Sequence, residues 1–227
     1  MSEAVAVLGM HRSGTSCLTG LLEQAGVFLG TVATKSGWNA RGNRENPQIM
    51  QLHEDLLGVN GGSWEAPPAS VVWPAELRLV RDRIIRGHQH APVWGFKDPR
   101  TLLVLEGWLA ALPALYLVGV LRHPLLVAES LQRRNGFSLE KGLELWRVYN
   151  EKLLAFHGRF KFPILSFDDA AFTDKVARLT AGLPLATPPI SALDFFDPEL
   201  RHATPSTDRP LADETERLYR TLREIAA

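Results

Sequence analysis

Continuous apolar runs and amphipathic stretches alternate along most of the chain. Four short apolar runs end at glycine or at charged residues, a pattern typical of strands that are buried on both faces. The predicted strands cover 4–8, 93–97, 115–121 and 162–167. Apolar residues at helical spacing, with capping residues at several ends, predict helices between and after these strands. The predicted helices cover 15–25, 47–58, 75–88, 125–134, 139–158 and 212–225.

The order of these elements predicts the fold class. Strands that alternate with amphipathic helices form parallel sheets covered on both faces, so we expect an α/β fold with three layers. The 227 residues suit one ordinary α/β domain, and we expect a single domain over 1–227. Polar or proline-rich segments at 31–46, 60–74 and 184–210 are expected to form loops.

The charge balance narrows the range of partners. Lysine plus arginine and aspartate plus glutamate number 25 each, so no global field draws the chain onto nucleic acid or an anionic membrane. Cys17 is the single cysteine, which excludes an intrachain disulfide and fits a reducing compartment. The longest apolar run, 109–121, contains Pro113 and is too short to span a bilayer. The N-terminal residues do not form a basic leader of the signal-peptide kind, so we expect a cytoplasmic protein. The pattern of apolar helix faces does not distinguish a monomer from an oligomer.

Three chemically distinctive residues stand at the ends of predicted strands. Gly9 follows the first strand, Lys97 ends the second and Arg122 follows the third. Ligands of parallel α/β sheets bind at the carboxyl ends of the strands. The sequence therefore predicts one site at that edge of the sheet.

The segment Gly9-Met-His-Arg-Ser-Gly14-Thr-Ser16 matches the phosphate-loop pattern G-x-x-x-x-G-K-[ST], except that Thr15 replaces the lysine. Glycines let consecutive backbone N–H groups face an anion at a helix N-terminus. Arg12 supplies a planar cation from inside the loop. The missing lysine argues against a nucleoside-triphosphate kinase, which places that charge on the terminal phosphates. A chance glycine turn is the alternative interpretation.

The run His11-Arg-Ser-Gly-Thr-Ser16, together with Arg122-His-Pro124 and Ser130, resembles the signature of sulfotransferases that use 3′-phosphoadenosine 5′-phosphosulfate (PAPS). The resemblance implies a P-loop NTPase-like sulfotransferase fold and PAPS as cofactor, with no metal. It implies that Arg122 and Ser130 hold the 3′-phosphate. It also implies that the 5′-phosphosulfate is held by the loop residues Arg12, Ser13, Gly14, Thr15 and Ser16, and that Arg12 has a catalytic role as well.

A third segment, Gly95-Phe-Lys-Asp-Pro-Arg100, is similar to the strand end of carbohydrate-type and bacterial sulfotransferases. The similarity implies a catalytic role for Lys97, which neutralises the bridging oxygen as the sulfuryl–phosphate bond breaks. The alternative for Lys97 is an ion pair with Asp98 or another acid. Arg100 either assists Lys97 or covers the sheet edge.

Departures from the cytosolic small-molecule members favour the carbohydrate-type, tyrosyl-protein and bacterial branches. Cys17 stands where those members have an aromatic residue, and Pro99 stands where they have a catalytic histidine. Their basic C-terminal loop has no counterpart, which leaves Arg201 and His202 as candidates for a third phosphate contact.

Transfer to a hydroxyl requires a base for the acceptor proton. Related branches use a glutamate downstream of the first helix, which implies Glu45 as the catalytic base. The alternative for Glu45 is to cap the helix that begins at Pro47. Rival bases are His53, Glu54 and Glu65.

Loop aromatics and the loop histidine complete the set of candidates. Trp38 and Trp64 lie in predicted loops and are candidates for lining an acceptor pocket. His11 is expected to point away from the phosphate loop beside Met10, while the backbone binds the anion.

Three hypotheses for function follow. The leading one is transfer of a sulfuryl group from PAPS to a hydroxyl or amine of a small-molecule or carbohydrate acceptor. The others are a magnesium-dependent phosphotransferase with an altered loop and a non-catalytic nucleotide-binding protein. His88 and His90 lack the partner residues of a metal site, so no metal is expected.

Overall fold

Four parallel strands form the sheet at the centre of the computed structural model, which describes residues 2–35, 37, 41–183, 185 and 210–226. Their bounds are β1, Glu3–Leu8; β2, Val93–Lys97; β3, Leu115–Leu121; and β4, Ile164–Ser166. The order across the sheet is β2-β1-β3-β4. The predicted strands are confirmed, although β4 begins later than expected, because Pro163 has no N–H to donate to the ladder.

Helices connect the strands and follow the last of them. The described helices are α1, Thr15–Gln24; α2, Pro47–Val59; α3, Ala75–His88; α4, Thr101–Ala111; α5, Pro124–Asn135; α6, Leu139–Phe160; α7, Phe172–Ala181; and α8, Asp213–Ile225. The predicted helices are confirmed, and α4 and α7 are additional to them. Among the described residues, no helix combines the length and the apolar character that crossing a bilayer requires.

The sheet is covered on both faces, which confirms the predicted α/β architecture. Side chains of a strand alternate between the two faces, so neighbouring residues of β1 belong to different clusters. Ala4, Ala6 and Leu8 pack into one core with side chains of α2, α4 and α6. Val5 and Val7 pack into the other with side chains of α1 and α7.

The register of the strands brings their carboxyl ends to one edge of the sheet. Val7 of β1 lies opposite Lys97 of β2, and Leu121 of β3 lies opposite Ser166 of β4. The phosphate loop and the residues that follow each of the other strands therefore share this edge, as the sequence predicts.

Candidate active site

The loop between β1 and α1 has two residues in the left-handed region of backbone space. Arg12 has φ of 67° and Gly14 has φ of 89°. The N–H of Ser13 donates to the carbonyl of Met10 at 3.2 Å, which closes the turn. This curl directs the loop into the first turn of α1 with Gly14 as the N-cap residue.

Gly14 is required for steric reasons as well as for its backbone conformation. A Cβ at this position would lie 2.3 Å from the ring of Phe167, which follows β4. Gly14→Ala is expected to lower the free energy of unfolding by about 2–4 kcal/mol, from left-handed backbone strain plus overpacking. Urea unfolding measures this loss.

Gly136 provides a matched control for that substitution. It has φ of 71° and no heavy atom within 4 Å of an added Cβ. Gly136→Ala therefore carries only the backbone strain, about 1–2 kcal/mol. Equal losses in the two variants would show that Phe167 does not restrict the loop.

The N-terminal end of α1 has the chemical character of an anion-binding helix terminus. In the described part of the chain no side chain caps α1, and its first turn carries no acidic residue. The first N–H groups of a helix carry partial positive charge and lack partners within the helix. Ser13 is 1% exposed, and its Oγ has no hydrogen-bond partner among the described residues. The loop therefore offers hydrogen-bond donors to a ligand.

The two predicted phosphate-binding motifs are in direct contact. Arg12 Nε donates to Ser130 Oγ of α5 at 2.8 Å. Arg122 Nη1 donates to the carbonyl of Arg12 at 3.1 Å. Residues that are 110 or more positions apart in the chain thus form one cluster at the carboxyl ends of β1 and β3.

Phe167 and Asp168, which follow β4, lie close to the Arg122 side chain. Asp168 Oδ1 lies 3.5 Å from Arg122 Nε, and its Oδ2 accepts from the backbone N–H of His123 at 2.7 Å. The Arg122 guanidinium lies 5.3 Å from the centre of the Phe167 ring. Gly9 and Arg122 are singled out because each follows a strand. Phe167 and Asp168 follow β4, so the same criterion could have identified them from the sequence.

Lys97 and Glu45, both predicted to be catalytic, form a buried ion pair. Lys97 Nζ lies 2.6 Å from Glu45 Oε1, and the residues are 2% and 8% exposed. Burial lowers the pKa of Lys97, while the charge and hydrogen bond of Glu45 oppose that shift. Glu45 does not cap α2, which was its alternative role. Asn46 caps this helix, and its Oδ1 accepts from the Gln48 N–H at 2.9 Å.

Asp98 belongs to a second buried network rather than to Lys97. Arg100 Nη1 donates to Asp98 Oδ2 at 2.7 Å, and His53 Nδ1 lies 3.2 Å from the same oxygen. Burial alone raises the pKa of Asp98, but His53 and then Arg100 outweigh it and hold the pKa well below its usual range. Arg100 therefore holds Asp98 at the sheet edge.

The rival bases occupy structural or exposed positions. His53 is fully buried, and its Nε2 accepts from Trp108 Nε1 at 2.8 Å, which places the ring proton on Nδ1. Glu54 accepts from Arg100 Nη2 at 2.9 Å. Glu65 lies exposed in a turn. Glu45 is thus the candidate base whose carboxylate lies against Lys97.

His11 packs between aromatic rings. Its ring centroid lies 4.4 Å from Trp64 and 5.9 Å from Tyr149, whose hydroxyl donates to the Trp64 carbonyl at 3.1 Å. Burial, followed by the charge of Arg100, lowers the pKa of His11 well below 6.5. The histidine is therefore neutral at pH 7.

The neutral His11 predicts a dependence of stability on pH. Below about 6.5 the unfolded chain takes up a proton that the folded chain does not, so stability falls by up to about 1.4 kcal/mol per pH unit. Above that pH, His11 is neutral in both the folded and the unfolded chain, so its effect on stability does not depend on pH. The loss of stability grows as the pH falls and levels off below the lower pKa of the folded state. Urea unfolding from about pH 7.5 to about 5.5 is expected to show this slope.

His11→Gln is expected to flatten the slope, and His123→Gln is the comparison. Burial lowers the pKa of His123 as well, although this residue is only half buried. A slope that survives in His11→Gln and disappears in His123→Gln would contradict the assignment to His11.

Three sequence-predicted candidates, Trp38, Arg201 and His202, lie outside the described residues. Cys17, the departure from the family pattern, is half-buried at the start of α1. Within the part of the chain that the structure describes, no three His, Cys, Asp or Glu side chains are arranged to hold a metal ion.

Comparison with known proteins identifies the fold. No protein-family model and no curated protein matches the sequence. The sulfotransferase domain of the Synechococcus PCC 7002 olefin synthase is similar with a TM-score of 0.59 and 17% identity, over 98% of this chain and 95% of that one. This likeness confirms the predicted fold.

Two further solved structures are less similar. TT1252 from Thermus thermophilus has a TM-score of 0.45 and 17% identity, over 79% of this chain and 96% of its own. Sulfotransferase STF1 from Mycobacterium tuberculosis H37Rv has a TM-score of 0.41 and 14% identity, over 100% of this chain and 73% of its own.

Proposed function

We propose that this chain, which has the fold of a sulfotransferase domain, transfers a sulfuryl group from PAPS to an acceptor. The acceptor group is a hydroxyl or an amine of a small molecule or carbohydrate. The reaction breaks the bond between sulfur and the bridging oxygen and releases 3′-phosphoadenosine 5′-phosphate (PAP). The acceptor oxygen or nitrogen forms the new bond to sulfur and loses its proton.

The contact between the predicted phosphate loop and the Arg122–Ser130 pair supports this proposal. Arg12 donates to Ser130, and Arg122 donates to the carbonyl of Arg12, so the two predicted anion-binding elements adjoin each other. PAPS has two anionic ends, a 5′-phosphosulfate and a 3′-phosphate. An ordinary adenine nucleotide has only the 5′ group and would leave the second element unused.

The donor would bind at the N-terminal end of α1. The loop amides, Arg12 and the hydroxyls of Ser13, Thr15 and Ser16 would hold the 5′-phosphosulfate. The buried and unpartnered Oγ of Ser13 supports this role. Gly14 lets the loop pack closely against the Phe167 ring, and Arg122 with Ser130 would hold the 3′-phosphate.

The threonine at position 15 favours sulfuryl over phosphoryl transfer. A phosphate loop of a kinase has lysine there to neutralise the terminal phosphates. A sulfuryl group carries less charge than a terminal phosphoryl group. Its transfer therefore needs less positive charge at that position, which suits a loop with Arg12 and Thr15.

Lys97 and Glu45 would act as a coupled pair in the transfer step. Glu45 would accept the acceptor proton, which neutralises its carboxylate and removes the partner of Lys97. The ammonium group would then be released to stabilise the negative charge on the bridging oxygen. The 2.6 Å contact and the burial of both groups make this exchange of partners possible without water.

Calorimetric titration with three nucleotides tests the proposal. PAP, adenosine 5′-phosphate and ATP with magnesium are titrated separately into the protein. PAP is expected to bind at least about 100-fold more tightly than adenosine 5′-phosphate, because only PAP engages Arg122 and Ser130. Transfer of label from [35S]PAPS to a panel of hydroxyl and amine acceptors then tests turnover.

Each outcome has a clear consequence. Equal affinity for PAP and adenosine 5′-phosphate would refute a PAPS site. Tight binding of ATP with magnesium and no gain from the 3′-phosphate would favour the phosphotransferase hypothesis. PAP binding without label transfer to any acceptor would favour the non-catalytic hypothesis.

A further inference from the structure

Arg134 is a half-buried cation in the last turn of α5. Across the described residues, no hydrogen bond or ion pair engages its side chain. The adjacent Arg133 behaves differently: its side chain is 57% exposed and lies 4.0 Å from Glu129 of the same helix. Two neighbouring arginines thus occupy different environments.

Arg134 shares a helix face with Ser130, because residues four apart in a helix project from the same side. Ser130 accepts the hydrogen bond of Arg12, so this face of α5 lies against the phosphate loop. Ser130 is 6% exposed, which shows that the face is closed off from solvent at that level. Arg134 continues the same face one turn further along.

The charge of Arg134 acts on the loop. Burial lowers the pKa of Arg12 to about 10, and Arg134 is the next contribution, ahead of Arg122 and Arg133. Arg134 also contributes to the lowered pKa of His11. Its guanidinium therefore adds positive potential at the place where Arg12 and Arg122 already meet.

The position of Arg134 at a helix C-terminus does not explain this arrangement. A cation there is favoured by the helix dipole, and that benefit applies equally to Arg133. It gives no reason for Arg134 to be half-buried while Arg133 is exposed. Repulsion between like charges in a partly desolvated place is offset when an anion binds between them.

We propose that Arg134 is a third ligand of the donor's 3′-phosphate, alongside Arg122 and Ser130. The inference rests on the proposed function and adds a residue to its donor site. It assigns to α5 the third phosphate contact for which the sequence offered Arg201 and His202. A guanidinium fork suits this role because it donates two parallel hydrogen bonds to phosphate oxygens.

The test compares PAP with adenosine 5′-phosphate in the wild type and in three variants. Arg134→Gln is expected to weaken PAP binding about 10- to 100-fold and to change adenosine 5′-phosphate binding less than about threefold. Arg134→Lys keeps the positive charge but lacks the two-pronged guanidinium group, so an intermediate loss of PAP affinity is expected. Arg133→Gln is the matched control and is expected to change neither affinity more than about threefold.

Thermal unfolding without ligand shows that the variants fold. Arg134→Gln is expected to retain or slightly raise the melting temperature, because it removes a positive charge that disfavours the charged form of Arg12. Unchanged PAP affinity in Arg134→Gln, or an equal loss of affinity for both nucleotides, would overturn the role of Arg134. Neither result would contradict the proposed PAPS site. A wild type with no preference for PAP would overturn the proposed function as well.

Discussion

Replacing Arg122 by alanine is expected to weaken PAP binding about 100-fold, on the order of 3 kcal/mol, because charge-assisted hydrogen bonds to the 3′-phosphate are lost. Adenosine 5′-phosphate lacks that phosphate, so its affinity is expected to change less than about threefold. Calorimetric titration of both nucleotides measures the two effects. The difference between them isolates the contribution of the 3′-phosphate.

The structural role of Arg122 calls for a control. Arg122 also donates to the Arg12 carbonyl and faces Asp168, so its loss affects the loop as well as the ligand. Asp168→Asn removes the acid beside Arg122 and keeps its cation. A loss confined to Arg122→Ala and absent from Asp168→Asn would assign the effect to the phosphate contact. Equal weakening of both nucleotides in Arg122→Ala would instead indicate a collapsed loop.

Replacing Glu45 by glutamine is expected to reduce turnover about 1,000-fold while PAP binds within about threefold of wild type, because the variant removes general-base catalysis. Glutamine has almost the same shape and cannot take up the acceptor proton. Label transfer from [35S]PAPS measures turnover, and calorimetry measures donor binding. Normal turnover in Glu45→Gln would exclude Glu45 as the base.

The buried pair allows catalysis to be separated from stability. Lys97→Met leaves the Glu45 carboxylate without its partner at a site where the residue is 8% exposed. Losing one partner of a buried ion pair costs about 3–5 kcal/mol, so this variant is expected to unfold at much lower urea concentration. Lys97→Met combined with Glu45→Gln is expected to recover most of that stability and none of the turnover. Recovery of turnover in the double variant would contradict the coupled roles.

The alternation of apolar runs and amphipathic segments predicted most of the fold, because burial imposes its periodicity on the sequence. Helices α4 and α7 are the exceptions, and the sequence of α4 shows why it was not predicted. Its residues Leu102, Leu103, Val104, Leu105 and Trp108 are all buried. A helix that is apolar on nearly every side shows no 3.6-residue contrast, and only its packing between the sheet and its neighbours reveals it.

The strand-end rule predicted that the candidate site residues share one edge of the sheet, but it left the partner of Lys97 open. Asp98 is adjacent in the chain, where it follows the last residue of β2. Lys97 pairs with Glu45, which is 52 positions away, and Asp98 pairs with Arg100. Which acid neutralises Lys97 depends on the path of the loop before α2, and no local pattern encodes that path.

The sequence by itself determined where the strands lie in the chain, the glycine-bearing loop between β1 and α1, and the edge of the sheet where the candidate site residues lie. Those features are local, because a few neighbouring residues are enough to show periodicity, glycine positions and the residues at strand ends. Only the tertiary structure decided that Arg12 contacts Ser130, that Asp168 faces Arg122 and that His53 is held by Trp108. Such pairs join distant segments, and their formation depends on how helices and loops pack around the finished sheet.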